Sequence, residues 1–213
     1  MSQSYLQIYE KLYNHYGPQN WWPAETSFEM MIGSILVQNT NWRNVEKAFE
    51  RLRPHLEPEK IDKLSMEELA QLIRSSGFYT VKAKRIKAFI SWFKQYDYDI
   101  AVIKTMTKEK LRQELLQIHG IGRETADVML VYAFDKPIFV VDAYARRIFY
   151  RLGYDMPSSY DGVRELVEME LPSDVTLYNE YHALLVQHAK RTCRVKPICE
   201  ACPLLDICEQ RIE

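Results

Sequence analysis

All four cysteines of this 213-residue chain fall within sixteen residues near one end, spaced Cys193-x5-Cys199-x2-Cys202-x5-Cys208. Thiols so close in sequence are drawn to one point, because each short loop turns the next sulfur inward. The first residues, Met1-Ser2-Gln3-Ser4-Tyr5, carry neither a basic nor an apolar leader. The chain is therefore expected in the cytoplasm, where disulfides are rare. Four thiolates around one centre suit zinc or a four-iron cluster. Zinc sites usually pair their ligands in two short knuckles. Here only the middle pair is short, which favours a 4Fe-4S cluster, with a structural zinc clip as the alternative. Either would stabilise a terminal segment that has little core of its own.

The remaining apolar pattern is helical almost throughout. Tyr5, Ile8, Tyr9, Leu12 and Tyr13 recur at three- and four-residue spacing, as do Phe28, Met31, Ile32, Ile35 and Leu36. Val45, Ala48, Phe49 and Leu52 mark a third helix that stops before Pro54. Ser65 with Glu68 reads as a capping box, and Gly77 as the stop that follows. Further helices fit residues 81–93, one capped by Thr107, one over residues 123–134, one after Asp142, and the stretches 161–169 and 178–190. Residues 138–141 could form a strand, but one such run makes no sheet. No apolar run approaches bilayer length. The fold class is all-α.

The formal net charge is −1, which by itself does not announce a nucleic-acid partner. Its distribution is uneven. Lys82, Lys84, Arg85, Lys87 and Lys94 lie in a stretch without acids, and so do Lys190, Arg191, Arg194 and Lys196. Solvated helix faces explain either stretch alone. As a functional feature, the segment 82–94 would touch phosphates.

The segment Leu115-Leu116-Gln117-Ile118-His119-Gly120-Ile121-Gly122-Arg123-Glu124-Thr125-Ala126 reads as a helix, a tight Gly-x-Gly turn and a second helix. Glycines allow positive φ and close backbone approach. The N–H groups opening the second helix suit a phosphate oxygen. Most such turns are only turns. Some twenty residues on, Asp142 follows an apolar run and opens another helical pattern, which alone reads as an N-cap.

Together, these pieces resemble the helix-hairpin-helix DNA glycosylases of the endonuclease III superfamily. The resemblance runs from about residue 28 to 208 and includes Leu36-Val37-Gln38-Asn39-Thr40, Gly77-Phe78-Tyr79-Thr80-Val81-Lys82-Ala83-Lys84, Val140-Val141-Asp142 and the cysteines. It implies two helical domains with a DNA cleft between them. One is a six-helix domain over residues 25–135, holding the hairpin at about 108–134. The other is discontinuous, residues 1–24 plus 136–213, with a cluster loop at 193–208. The implied partner is double-stranded DNA containing a damaged base, which a monomer flips out and removes. Asp142 matches the essential aspartate, whose charge stabilises the positive sugar or activates the nucleophile. Gln38 matches the side chain that fills the gap in the duplex. Backbone contacts are implied for His119, Gly120, Ile121, Gly122, Arg123 and Thr125, with Lys82 and Arg194 as further DNA contacts.

Two departures matter. Glu124 stands where endonuclease III has a lysine that forms an imine with the sugar, and a carboxylate cannot. Base removal by water is expected instead, without efficient strand cleavage; Glu124 gives polar support or is simply solvated. The first cysteine gap is also one residue shorter than the x6-x2-x5 pattern of endonuclease III. A second resemblance, to the 3-methyladenine DNA glycosylase III group, rests on Trp21-Trp22-Pro23, Gln38-Asn39-Thr40 with Trp42, Ser76-Gly77-Phe78-Tyr79 and the glutamate after Gly-Ile-Gly-Arg. It places Trp21, Trp22, Pro23 and Trp42 at the base pocket, where indoles would stack on a cationic alkylated purine. That group lacks the cysteines, and paired tryptophans often serve only as core. The expected activity is a monofunctional glycosylase for alkylated purines. Alternatives are an endonuclease III-type glycosylase/AP lyase for oxidised pyrimidines, a non-catalytic duplex-binding module, and a zinc-clipped helical protein without a DNA role.

Overall fold

The computed structural model describes residues 4–21 and 24–212. It forms two compact units, Trp22–Lys136 and the paired segments Met1–Trp21 and Pro137–Glu213. Every regular element among the described residues is helical. None of these helices is long and apolar enough to cross a membrane.

The chain enters through α1 (Tyr5–Tyr16), opened by a reciprocal capping box between Ser4 and Gln7. The continuous unit then holds six helices of seven residues or more: α2 (Ser27–Leu36), α3 (Trp42–Leu52), α5 (Met66–Leu72), α6 (Tyr79–Lys94), α8 (Lys108–Gln117) and α9 (Arg123–Tyr132). Two short ones, α4 (Pro58–Lys63) and α7 (Ile100–Lys104), left no periodic pattern long enough to read in the sequence. Helix α2 is buried on nearly every side and packs on α6 and α9. The Ser65–Glu68 box and the Thr107 cap form as expected.

The discontinuous unit closes α1 against α11 (Tyr160–Glu170) and α12 (Val175–Arg191), with α10 (Ala143–Leu152) also packed on α12. Tyr5, Phe139, Phe149 and Tyr181 pack edge-on in its core. The Tyr181 hydroxyl donates to the Tyr5 carbonyl at 2.9 Å, tying the two ends of the chain together. Residues 138–141 are buried but form no strand. With no second strand beside them, their N–H groups find side chains instead. Phe139 N–H donates to Glu168 Oε1 at 2.8 Å, and Val141 N–H to the Tyr160 hydroxyl at 3.2 Å.

Part of the basic run on α6 turns inward, which corrects the expectation for Lys82 as a DNA contact. Lys82 is 1% exposed, and its ammonium donates to the carbonyls of Leu36 (2.8 Å) and Ser76 (2.6 Å). Lys87 likewise donates to the carbonyls of Ile61, Asp62 and Leu64, at the end of α4. Lys94 pairs with Asp62 at 2.7 Å. Lys82 and Lys87 thus donate to carbonyls at helix ends, where positive charge also meets the negative end of the dipole. Lys84 and Lys94 are exposed, with Arg85 and Lys87 half-buried.

Burial pushes the Lys82 ammonium down to about 8, and nearby Arg85 adds to the effect. Lys82→Met keeps the aliphatic stem but strands two carbonyls. It should destabilise the protein by about 1–3 kcal/mol per carbonyl, seen as a lower urea midpoint. The unfolded chain keeps this proton to higher pH than the folded one does. Wild-type stability therefore gains from this group as pH rises from about 8 to 10.5, and the wild-type minus mutant difference should widen over that window.

Candidate active site and metal centre

The hairpin is built by α8, a tight turn and α9. Gly120 sits at φ +86°, a backbone conformation that disfavours any side chain. A Cβ there would also lie 2.2 Å from Arg85 Cγ, so the arginine stem covers the turn. Gly122 differs: its φ is −88°, and a Cβ on it would meet nothing within 4 Å. Nothing within the chain requires a glycine there, and its effect is to leave open the face where α9 begins. Helix α9 starts at Gly122 without a side-chain cap. Behind the turn, Arg112 grips the fully buried Asp127 carboxylate with Nε at 2.7 Å and a second nitrogen at 3.2 Å, clamping α8 to α9.

The expected DNA-contact residues divide by exposure. His119, Gly122, Arg123 and Glu124 are exposed around the turn, whereas Ile121 and Thr125 face inward. The Thr125 side chain accepts a hydrogen bond from Gln38 Nε2 at 2.9 Å. Gln38 also donates to the Gly120 carbonyl at 3.2 Å and accepts from Arg85. The side chain expected to enter a duplex thus braces the hairpin. Arg194, with Lys190, Arg191 and Lys196, is exposed in the other unit.

Asp142 is the N-cap of α10: its Oδ1 accepts from Ala145 N–H at 2.7 Å. Its Oδ2 lies 3.6 Å from Nε2 of His182, on α12. The Trp21 ring stands edge-on to the His182 ring, 5.6 Å away at 61°. Trp42 belongs to the other unit, half-buried 6.3 Å from the Phe49 ring. Trp22 and Pro23 lie outside the described residues. The capping carboxylate thus uses one oxygen and turns the other to an imidazole.

Two residues escaped the sequence reading. His182 lies forty positions from Asp142, and nothing local signals their contact. Phe78 offered a signal, an aromatic beside a glycine at a helix start. It adopts left-handed backbone (φ 45°) and is 69% exposed, so strain and apolar exposure coincide.

None of the four cysteines is in a disulfide, and all four line one cavity with Arg151 and the apolar Ile148 and Leu152. Among the described residues no three metal-binding side chains form a ready single-ion site. Burial pushes the Cys202 and Cys208 thiols up, and the neighbouring cysteines add to the effect. Two arginines of α10 hold the shortened loop 194–198. Arg147 donates to the Cys193 carbonyl (2.8 Å) and Arg151 to those of Arg194 (2.6 Å) and Val195 (3.1 Å). Arg151, 9% exposed, also approaches Cys193 Sγ at 3.4 Å, while its own carbonyl accepts from the Cys208 thiol. A buried cation beside four sulfurs fits a centre of net negative charge.

Comparison with known proteins follows the same lines. Residues 32–172 match the HhH-GPD superfamily of base excision DNA repair proteins. A Methanocaldococcus jannaschii protein, whose own assignment as a DNA repair glycosylase is provisional, is 45% identical over 94% of each chain. Endonuclease III of Thermotoga maritima is 33% identical, over 85% of this chain and 82% of its own. The H. pylori 3-methyladenine DNA glycosylase, solved with 1,N6-ethenoadenine, superposes with a TM-score of 0.78 at 27% identity, over 89% of this chain and 98% of its own. The chain belongs to the HhH-GPD superfamily of base excision DNA repair proteins and is a DNA glycosylase of the endonuclease III family.

Proposed function

We propose that this protein is a monofunctional DNA glycosylase that removes alkylated purines from duplex DNA, using water as the nucleophile. The observation that carries it is Asp142, with one oxygen bound by its helix and the other beside the His182–Trp21 pair. When the glycosidic bond breaks, its electron pair leaves with the base and positive charge builds on the sugar. A fixed carboxylate stabilises that charge. Water adds to the sugar carbon and loses a proton. An alkylated purine already carries positive charge, leaves readily and suits an aromatic surface such as Trp21.

The hairpin supports the DNA half of this proposal. Gly122 leaves the start of α9 open to a phosphate, as helix N-termini favour. Such contacts position a duplex without reading its sequence. Phe78, strained and exposed, suits stacking against a base left without its partner. Glu124, exposed on the first turn of α9, offers no amine for imine formation. Cys193, Cys199, Cys202 and Cys208 would hold a 4Fe-4S cluster, which supplies a charge centre that cross-links the terminal loop.

Purified protein is expected to release methylated purines from alkylated duplex, read by chromatography of the freed bases, and not to be trapped on DNA by borohydride. Asp142→Asn should lower release by about 10²–10³-fold while keeping the helix cap. Release of oxidised pyrimidines together with borohydride trapping would instead establish the lyase alternative.

Metal analysis should find about four iron atoms per chain, with acid-labile sulfide and broad visible absorbance. Cys199→Ser should lose the colour and lower the thermal midpoint. One zinc per chain and no iron would replace the cluster with a structural clip.

A further inference from the structure

We infer that His182 is a positioning residue that aims the Asp142 carboxylate, and that Trp21 holds the imidazole in place for that task. The inference rests on the role proposed above for Asp142 and adds a residue to it.

Asp142 must do two things with two oxygens. Oδ1 is committed to Ala145 N–H, which closes the first turn of α10. That leaves Oδ2 to face the sugar. A single hydrogen bond fixes one oxygen but not the plane of the carboxylate. An anion misaligned by an ångström loses much of its effect on a charge forming at one atom. A second contact is needed, and within this unit the group placed to make it is His182, with Nε2 at 3.6 Å from Oδ2.

That separation is too long for a hydrogen bond. A shift of less than an ångström would close it, and contacts between catalytic groups commonly tighten when substrate is bound. Neither partner is loose. The two side chains are 6% and 12% exposed. His182 projects from the long helix α12, which packs directly on α10. The Trp21 ring meets the imidazole edge-on and restricts its rotation. An Nε2–H pointing at Oδ2 would fix the carboxylate plane.

A buried histidine that only fills space would show none of this coupling. The test uses duplexes with one of two abasic analogues, a pyrrolidine that is cationic where the sugar cation forms, or a neutral tetrahydrofuran. Wild type should bind the pyrrolidine duplex about tenfold or more tighter than the tetrahydrofuran one, and Asp142→Asn should erase the preference. His182→Leu should lose most of it, with tetrahydrofuran affinity unchanged as the check on folding. Single-turnover base release should fall about 10–100-fold. His182→Gln, which keeps an N–H donor at similar reach, should restore both.

If His182→Leu keeps the wild-type preference and rate while Asp142→Asn loses them, His182 plays no part and the role of Asp142 stands. If the Leu and Gln variants are equally impaired and lose tetrahydrofuran affinity too, the histidine is structural and the inference is overturned. If wild type shows neither a pyrrolidine preference nor base release, the role of Asp142 fails and the inference falls with it.

Discussion

The hydrogen bond from Ala145 N–H to Asp142 Oδ1 is the point on which the discontinuous unit turns. It starts helix α10 at a defined residue, and everything α10 carries is then indexed from that start. At its first turn the second carboxylate oxygen meets His182. One and two turns on, Arg147 and Arg151 reach the loop of the cysteine window. One helix thus presents the candidate catalytic anion and anchors the candidate metal centre. A cap needs only one of the carboxylate oxygens, which leaves the other for the chemistry proposed above. Placing an anion at a helix N-terminus is also favourable in itself, so holding this charge half-buried needs no separate cation.

The positive charges of α6 follow a different logic. A run of lysines without acids invites a nucleic-acid interpretation, since phosphate contacts dominate the affinity of DNA-binding proteins. Here Lys82 and Lys87 turn inward to carbonyls at the ends of other elements. The continuous unit is assembled from short helices, and each end exposes carbonyls that need donors. A lysine stem is long enough to cross a neighbouring helix and deliver its ammonium to them. These two members of the basic run follow from packing many helix ends around one long helix.

The hairpin combines a rigid rear with an open front. Arg112 and Asp127 lock the two helices behind the turn, and Gln38, Arg85 and Thr125 brace its side. The front, at Gly122, is bare. The role proposed for this edge requires it to be positioned without being covered. Buried ion pairs and side-chain amides accomplish the first because they are directional, and a glycine accomplishes the second because it has no side chain.

The amino-acid sequence determined the features that depend on neighbours along the chain. The helical periodicity, the Ser65–Glu68 box, the Thr107 cap, the Gly-x-Gly turn, the cap at Asp142 and the cysteine window were all legible, because each is set within about one turn or one loop. The short helices α4 and α7 were not, having too few turns to show a period. Nor was the fate of residues 138–141, where β-branched composition suggested extension but no partner strand exists among the described residues. The tertiary structure alone decided which charges face water, that Lys82 is a cap and not a contact, and that Gln38 rests on the hairpin. It also brought His182 to Asp142 across forty residues. Contacts of that kind depend on how helices α10 and α12 cross, and no local spacing in the chain encodes the angle at which two helices meet.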